Sequence, residues 1–409
     1  MSDPGARALD DAFLAVVADW ARGGAGCDDA RFDELARATF AHQVERNPAY
    51  ARVAAAAGVD AAHPPHSWRD IPAVPPSAFK DATLATFDVR SAELVFHTSG
   101  TTAAVAGKHY VERAALYDAA LVAGFDRFML PDRPHLRYLN LVPNPRVRPH
   151  SSLGYMMGYV SVLRGDGRGA YFLDDERVDT AGFVRAATEA TRECRPLCVA
   201  GTAFAFVALL DDLAASDTRI AALPGSRVME TGGFKGRSRT VERDDLYAQI
   251  EERLGIPYAS IVAEYGMTEL LSQFYDSPES RASRTRVKVA PPWLRTLVVD
   301  AAGREVPAGE VGFLRHVDLG NRSSVVAIDT EDRGYRVTTG AGEGFVLLGR
   351  DLDAPARGCS LDAEDLLAGS ARSSGRSACP SPARLRHSPT QRGVGRMRTF
   401  HRGFARRAP

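Results

Sequence analysis

Lysine is nearly absent from this 409-residue chain, in which four lysines stand against 47 arginines. Cysteine is also scarce, and its five residues are irregularly spaced, which argues against a disulfide framework. No apolar run approaches the length that crosses a bilayer, and the first residues lack the basic-then-apolar order of a secretory signal. We therefore expect a cytoplasmic chain without a membrane span.

Acidic residues are absent from the end of the chain. Residues 371–409 hold ten arginines and no aspartate or glutamate, so the zero formal net charge hides an excess of about ten negative charges elsewhere. A basic arm can bind nucleic acid. The Ser, Pro and Gly content of this segment is instead typical of disorder or of an aberrant coding sequence. We expect such a tail and no specific nucleic-acid partner.

Hydrophobic periodicity divides the rest of the chain into helices and strands. Residues 9–46 show two amphipathic helical patterns. Short apolar runs then alternate with helical patterns; the clearest runs are LRYLNLV, PLCVAGT, SRVMETG and ASIVAEY. From about residue 293 one strand pattern follows another. This order predicts an α/β domain with parallel-rich sheets and a β-rich appendix.

A loop of small and hydroxylated residues, HTSGTT, follows an apolar run at residues 97–102. Backbone N–H groups and hydroxyls in such a loop can surround a phosphate. A Walker A loop requires GxxxxGK followed by Ser or Thr, whereas Gly100 lies seven residues before Gly107 and Lys108 is followed by His109. A P-loop NTPase is therefore excluded, which leaves another phosphate-binding loop or an ordinary Ser/Thr turn.

The segment AEYGMTELLSQFYD, residues 263–276, places Thr268 and Glu269 after a strand and a glycine turn. Magnesium prefers one or two carboxylates together with phosphate oxygens. The pair therefore suits a site for a nucleotide phosphate and Mg²⁺. The alternative is a strand-to-helix turn in which Glu269 only caps the helix.

Two further segments carry features of a nucleotide site. In METGGFKGRSR, Gly232 and Gly233 would let a flat ring approach the backbone, with Lys235 at its rim. The alternative is a glycine turn with a solvated lysine. Asp332 could accept both hydroxyls of a ribose and Arg350 could bind ribose or phosphate, although either could be an ordinary surface charge.

In the order given above, the four segments resemble the signatures of the AMP-forming acyl-adenylate (ANL) superfamily: a TSGTTG loop, a YGxTE segment, a TGD-like turn and a GRxxD hinge. The resemblance extends to its acyl-protein synthetase (LuxE type) branch and runs from about residue 70 to 366. The stretches that carry it are IPAVPPSAFK, HTSGTT, GTAFAFVALLD, METGGFKG, YGMTELLSQFYD, DLGNRSSVVAIDTEDRG and RGCSL.

The resemblance implies a ligase that uses ATP and Mg²⁺ to convert a carboxylic acid, expected to be a fatty acid, into an acyl-adenylate. A protein cysteine thiol then takes the acyl group, and the implied partner is an acyl-accepting reductase or carrier protein. Glu269 would hold Mg²⁺. The implied nucleotide contacts are Thr98, Ser99, Gly100, Thr101, Thr102 and Thr268 for the phosphates, Gly232, Gly233 and Tyr265 for the adenine, and Asp332 and Arg350 for the ribose.

Cys359 is the implied acyl carrier, since Arg350 and Arg357 nearby would favour its thiolate. A buried structural cysteine is the alternative, and Cys379 is a second candidate. For the acyl pocket, the resemblance indicates His150, and the GTAFAF segment indicates Gly201 and Phe204. Plain core packing would explain that segment equally well.

Two departures from the superfamily pattern stand out. Ala103 occupies a position at which the loop usually has glycine. No lysine follows Lys288, so the C-terminal lid with its catalytic lysine is expected to be reduced or missing. We expect Lys235, or else Lys108, to supply that charge.

These considerations divide the chain into an N-terminal helical segment (1–70), an adenylate-forming domain (71–350), a short hinge or C-terminal remnant (351–370) and the basic tail (371–409). Two other functions stay open. The acceptor could be coenzyme A or a carrier protein, or the chain could be a catalytically impaired binding subunit of a reductase complex.

Overall fold

A twelve-stranded mixed sheet with helices on both faces forms the body of the computed structural model, which describes residues 3–60, 62–98, 106–132, 135–174, 177–232, 241–340 and 342–350. Its helices are α1 (Pro4–Ala21), α2 (Asp29–Arg46), α3 (Pro48–Ala56), α4 (Ala78–Asp81), α5 (Ala114–Met129), α6 (Ser152–Arg164), α7 (Thr180–Arg192), α8 (Ala203–Ala215) and α9 (Arg243–Leu254). Among the described residues, no helix is long and apolar enough to cross a membrane.

The strands fall into a short hairpin and the large sheet. The hairpin pairs β1 (Leu94–His97) with β2 (Lys108–Val111). The sheet contains β3 (Arg137–Pro143), β4 (Ala170–Asp174), β5 (Arg177–Val178), β6 (Leu197–Thr202), β7 (Arg227–Thr231), β8 (Ile261–Tyr265), β9 (Phe274–Asp276), β10 (Lys288–Val289), β11 (Leu294–Val299), β12 (Gly312–Asp318), β13 (Ala327–Thr339) and β14 (Gly342–Arg350).

The sheet changes character along its width. Its order is β11-β12-β13-β14-β10-β9-β8-β7-β6-β3-β4-β5. The adjacent strands β8, β7, β6, β3 and β4 pair in parallel, and the other pairs are antiparallel. The inner parallel strands β3, β6, β7 and β8 are buried along nearly their whole length, as expected for strands covered on both faces. The predicted α/β class, with a parallel-rich sheet and a β-rich appendix, is therefore confirmed. The expected reduction of the lid concerns residues after 350, which lie outside the described part.

Helices cover the parallel strands on both sides. Phe183, Phe206 and Tyr247, from α7, α8 and α9, pack in one apolar cluster with the inner side chains of β3, β6 and β7. On the other face, α5 and α6 contribute Phe125 and Met157 to a second cluster, which also contains residues of the hairpin. The parallel part of the sheet is thus the middle layer of three. Its polar side chains can reach a ligand only at the strand ends.

The three N-terminal helices pack on the antiparallel part of the sheet through a third apolar cluster. A buried ion-pair network fixes their position. Arg322 donates from Nε to Asp10 of α1 at 2.7 Å and from NH1 to Glu112 at 2.6 Å, and Arg113 donates to Asp10 at 2.9 Å. Asp10 and Arg322 are at most 2% exposed. Charges this deeply buried are tolerated only when they are paired.

Replacing Asp10 with alanine should lower the free energy of unfolding by about 3–5 kcal/mol, because the Arg322 guanidinium would stay buried without its main partner. Denaturant unfolding followed by circular dichroism measures this loss. Glu34→Ala is the matched control, since Glu34 forms an exposed pair with Arg31 on α2 and should change stability by less than about 1 kcal/mol. Equal effects of the two variants would contradict a structural role for the network.

Candidate functional site

Three parallel strands end side by side and bring polar side chains to one edge of the sheet. The register pairs Thr202 with Thr231 and Thr231 with Glu264, at the carboxyl ends of β6, β7 and β8. Residues paired in this way lie on the same face of a sheet. In open α/β sheets, ligands bind at the edge formed by the carboxyl ends of the strands. This row therefore marks the candidate site.

Tyr265, the last residue of β8, links that edge to the antiparallel strands. Its hydroxyl donates a 2.8 Å hydrogen bond to Oδ2 of Asp332 and lies 3.2 Å from Nε2 of His316. Arg350 is paired with Asp332 across β13 and β14, with its Nε 3.7 Å from Oδ1 of Asp332. Burial, reinforced by the Asp332 charge, holds the pKa of Tyr265 well above its usual value, so the phenol remains a donor. Tyr265, Asp332 and Arg350 therefore form one cluster.

The turn after Tyr265 is held by a buried histidine. His109 lies with Nδ1 2.7 Å from the carbonyl oxygen of Thr268 and with Nε2 2.9 Å from Oγ of Ser324. A carbonyl can only accept, so Nδ1 of His109 donates and Nε2 accepts from the serine hydroxyl. Burial lowers the pKa of His109 to about 4, which keeps the ring neutral. The Thr268 hydroxyl lies 3.4 Å from Oγ of Ser152, at the first turn of α6.

Glu269 lies in the wall of the site rather than in open solvent. It is 6% exposed, and its carbonyl oxygen accepts a 2.8 Å hydrogen bond from Nδ2 of Asn321. In the described ranges, no cluster of three or more His, Cys, Asp or Glu side chains could hold a metal ion. A single carboxylate fits a Mg²⁺ ion that takes its other ligands from phosphate and water. The role of Glu269 in holding Mg²⁺ stays a prediction.

Thr98 closes the base of the hydroxyl-rich loop. Its N–H donates to the carbonyl oxygen of Gly107 at 2.9 Å, and its Oγ1 accepts from the Gly107 N–H at 3.0 Å. A Cβ at Gly107 would stand 3.0 Å from both the Thr98 hydroxyl and the carbonyl carbon of Phe79, so this closure favours glycine. The other predicted phosphate contacts, Ser99, Gly100, Thr101 and Thr102, lie outside the described residues.

The glycine-rich turn after β7 is described only at its beginning. Gly232 has a φ of +70°, in the left-handed region that favours glycine. Gly233 and Lys235 lie outside the described residues, and so does Cys359. The predicted roles of these three residues therefore stay predictions.

The residues expected at the acyl pocket lie in different surroundings. His150 precedes α6, stacks on His97 with ring centroids 4.1 Å apart, and has Nδ1 2.9 Å from the carbonyl oxygen of Val95. A Cβ at Gly201 would meet Leu141 at 2.7 Å, within the layer of α7 to α9. Phe204 is partly buried in the first turn of α8. Close packing between strands is thus one reason for glycine at 201. A single acyl pocket formed by His150, Gly201 and Phe204 stays a prediction.

Two buried carboxyl groups at this edge were missed by the sequence reasoning. Glu264 accepts a hydrogen bond from the Thr231 hydroxyl, and burial raises its pKa to about 7. Glu230 is turned to the opposite face of β7, where Tyr247 donates to it at 3.1 Å, and burial raises its pKa to about 7 as well. An acidic residue near the end of an otherwise apolar strand, as in VMET and IVAE, is the signal that could have revealed both.

Comparison with known proteins supports the fold. No protein-family model matches the chain, and no curated protein is similar to it in sequence. A crystal structure of an open 2-hydroxyisobutyryl-CoA ligase in complex with 2-HIB-AMP and CoA is 16% identical, with a TM-score of 0.60 over 80% of this chain and 72% of that one. A second structure of this ligase, in the thioesterification state, has a TM-score of 0.60 at 16% identity, over 81% and 70% of the two chains.

The chain has the fold of this CoA ligase. An amide bond synthetase, McbA from Marinactinospora thermotolerans, is also similar, at 20% identity and a TM-score of 0.45 over 64% of this chain and 49% of that one. The chain therefore spans about half the length of McbA and about 70% of the length of the ligase. The resemblance found in the sequence is confirmed at the level of the fold.

The buried carboxyl of Glu264 predicts a pH-dependent effect on stability. Its pKa is raised from an ordinary 4.5 to about 7, so between these values the folded chain binds more protons than the unfolded chain. The contribution of Glu264 is fully present below pH 4.5 and is lost as the pH rises through 7. We compare the free energy of unfolding of Glu264→Gln with that of the parent chain. This difference should favour the variant more at pH 8 than at pH 5, by up to about 3 kcal/mol.

Denaturant unfolding of both chains at the two pH values measures this difference. Glu343→Gln is the control, because Glu343 is exposed on β14, and its effect should be the same at both pH values. A Glu264→Gln effect that does not change with pH would show that the carboxyl is not buried as described.

Proposed function

We propose that the chain is an acyl-protein synthetase of the LuxE type. It would activate a carboxylic acid with ATP and pass the acyl group to a protein cysteine. The observation that carries the proposal is the Tyr265–Asp332–Arg350 cluster, which lies at the carboxyl edge of the parallel strands in an adenylate-forming fold. The division of the chain at residues 70, 350 and 370 is part of the same proposal.

The cluster would bind the ribose. Asp332 has its Oδ2 held by the Tyr265 hydroxyl, so its carboxylate is oriented before a nucleotide arrives. Carboxylate oxygens accept hydrogen bonds from both hydroxyls of a diol, and Arg350 adds a positive charge on the neighbouring strand. The adenine would lie beside Gly232, Gly233 and the ring of Tyr265.

The first step is acyl-adenylate formation. A carboxylate oxygen of the acid attacks the α-phosphorus of ATP, and pyrophosphate leaves with the electron pair of the broken P–O bond. The Thr268 hydroxyl and the loop from Thr98 to Thr102 would contact the phosphates. Lys235 would supply the positive charge that stabilises the developing phosphorane, and Lys108 is the second candidate. Such a donor contributes about 3 kcal/mol to the stabilisation of the transition state. Mg²⁺ held by Glu269 would offset the charge of the phosphate oxygens.

The second step transfers the acyl group to sulfur. The thiolate of Cys359 attacks the acyl carbonyl carbon, the bond to the phosphate oxygen breaks, and AMP leaves. The product is a thioester on the chain itself. A reductase or carrier protein that accepts activated acyl groups is the proposed partner.

A second candidate function keeps the adenylate and changes the acceptor. The structurally similar 2-hydroxyisobutyryl-CoA ligase contains CoA, which favours coenzyme A, or the related thiol of a carrier protein, as the acyl acceptor. The first step is identical in the two candidates, so only the fate of the acyl group separates them.

Replacing Asp332 with asparagine should raise the KM for ATP in acid-dependent ATP–pyrophosphate exchange by about 10- to 100-fold. A hydrogen bond to a charged group contributes about 1.5–3 kcal/mol, and the amide offers only one acceptor oxygen. Glu343→Gln, a change of similar size at an exposed position of the same sheet, should leave the KM unchanged. An unaltered KM in the Asp332 variant, with native circular dichroism, would exclude this carboxylate from nucleotide binding.

Incubating the chain with ATP and a radioactive acid should give a covalent, hydroxylamine-labile label that Cys359→Ser abolishes. Cys194→Ser is the control, because Cys194 is exposed and should not affect labelling. A label that survives in Cys359→Ser and disappears in Cys379→Ser would move the role to the second cysteine. Formation of acyl-CoA without any label on the chain would establish the CoA ligase instead.

A further inference from the structure

The candidate site contains two buried hydrogen-bond acceptors for which the proposed chemistry has no use. Glu264 ends the polar row on β8, and Gln273 directly precedes β9. Oε1 of Gln273 is buried and has no hydrogen-bond partner among the described residues. Buried acceptors are normally paired, because removing them from water is costly. An unpaired acceptor beside a buried carboxyl group therefore indicates that a hydrogen-bond donor is missing.

The two acceptors meet on one face of the sheet. The register pairs Glu264 with Tyr275 and Tyr265 with Phe274, so Gly266 follows opposite Gln273, on the same face as Glu264. A Cβ at Gly266 would stand 2.5 Å from Oε1 of Glu264 and 3.7 Å from Cγ of Gln273. Any side chain there would displace the carboxyl. Glycine at 266 thus leaves room for the Glu264 carboxyl beside the Gln273 side chain.

The described residues compensate the charge of Glu264 only in part. Thr231 donates to its Oε2. Among the described residues, Lys288 is the cation that acts on Glu264 electrostatically, but its ammonium donates hydrogen bonds to Asp276 at 2.9 Å and to the carbonyl oxygen of Ala263 at 2.7 Å. Burial consequently dominates, and the pKa of Glu264 remains at about 7. A further donor could still bind at this carboxyl.

The position of Glu264 connects it to the proposed reaction. It lies four residues before Thr268, the proposed phosphate contact, and it faces the layer of α5 and α6. Its charge also raises the pKa of Tyr117 on α5, after the larger effect of burial, and the Tyr117 hydroxyl contacts the carbonyl oxygen of Ser152 at 3.5 Å. The face of the sheet that carries Glu264 therefore lies against the helices next to Thr268, the proposed phosphate contact.

We propose that Glu264 and Gln273 form the polar end of the acid-binding pocket and bind a hydrogen-bond donor, a hydroxyl or an amino group, on the acyl part of the substrate. The inference rests on the proposed function, since it assigns the acid that the enzyme activates. A plain hydrocarbon chain would leave Oε1 of Gln273 without a donor and Glu264 with the Thr231 hydroxyl alone among the described residues. Sites built around buried polar groups discriminate strongly against such analogues. The substrate class is thus a hydroxylated or aminated acid rather than an unsubstituted fatty acid.

The test is ATP–pyrophosphate exchange with matched acids: octanoic acid, and octanoic acids that carry a hydroxyl or an amino group either at the terminal carbon or at the carbon β to the carboxylate. The parent chain should use the best donor-bearing acid with a kcat/KM about 10-fold or more above that of octanoic acid. Glu264→Leu and Gln273→Leu should remove this preference. Glu264→Gln should keep a preference for a hydroxyl and lose one for an amino group, which separates the two donors.

Glu230→Gln is the matched control, because Glu230 is an equally buried carboxyl on the opposite face. It should leave the preference unchanged. If Glu264→Leu does not fold, Glu264→Gln and Gln273→Leu carry the test. Two results would overturn the inference and leave the proposed function intact. One is exchange by the parent chain that favours octanoic acid. The other is a preference for the donor-bearing acid that both Glu264→Gln and Gln273→Leu retain.

Calorimetric titration of the same acids without ATP separates the two proposals. Donor-dependent binding that Glu264→Gln or Gln273→Leu alters, without any exchange, would support the pocket and overturn the proposed ligase activity. The absence of both binding and exchange for every acid in the series would overturn both.

Discussion

Strands that pair in parallel must end at one edge of their sheet, and most of the candidate site depends on this constraint. Because β6, β7 and β8 are parallel and in register, Thr202, Thr231 and Glu264 form a row without any contribution from loops. Tyr265 follows immediately, and its side chain reaches the antiparallel strands. The row and Tyr265 thus lie on strands, which hold side chains more rigidly than loops do.

A buried ion cluster behind this edge fixes the strands that carry it. Asp276 of β9 accepts from Arg286 at 3.1 Å, from Lys288 at 2.9 Å and from the N–H of Ala263 at 2.8 Å. Lys288 also donates to the carbonyl oxygen of Ala263. Hydrogen bonds from two buried cations to one carboxylate therefore hold the place where the sheet changes from parallel to antiparallel.

The sequence predicted the helices and strands better than it predicted the contacts between them. Apolar runs placed β3, β6, β7 and β8 within about two residues of their observed bounds, because buried parallel strands are apolar nearly throughout. The 2.8 Å contact between Tyr265 and Asp332 could not be predicted from these residues alone, since it depends on the order in which β9, β10 and β14 intervene. Glu264 was missed because an acid within a strand ordinarily faces water. Helix α6 was missed because its segment is apolar on most sides.

The single imidazole of His109 joins segments that lie far apart in the chain. Its two partners, Thr268 and Ser324, are 159 and 215 residues away. Contacts at such separations form only after a large loss of chain entropy, which slows folding. The support of the turn that carries Thr268 is therefore complete only when the hairpin and both halves of the sheet have assembled. A fragment that ends before Ser324 would keep the strands of the row and lose one of the two partners of His109.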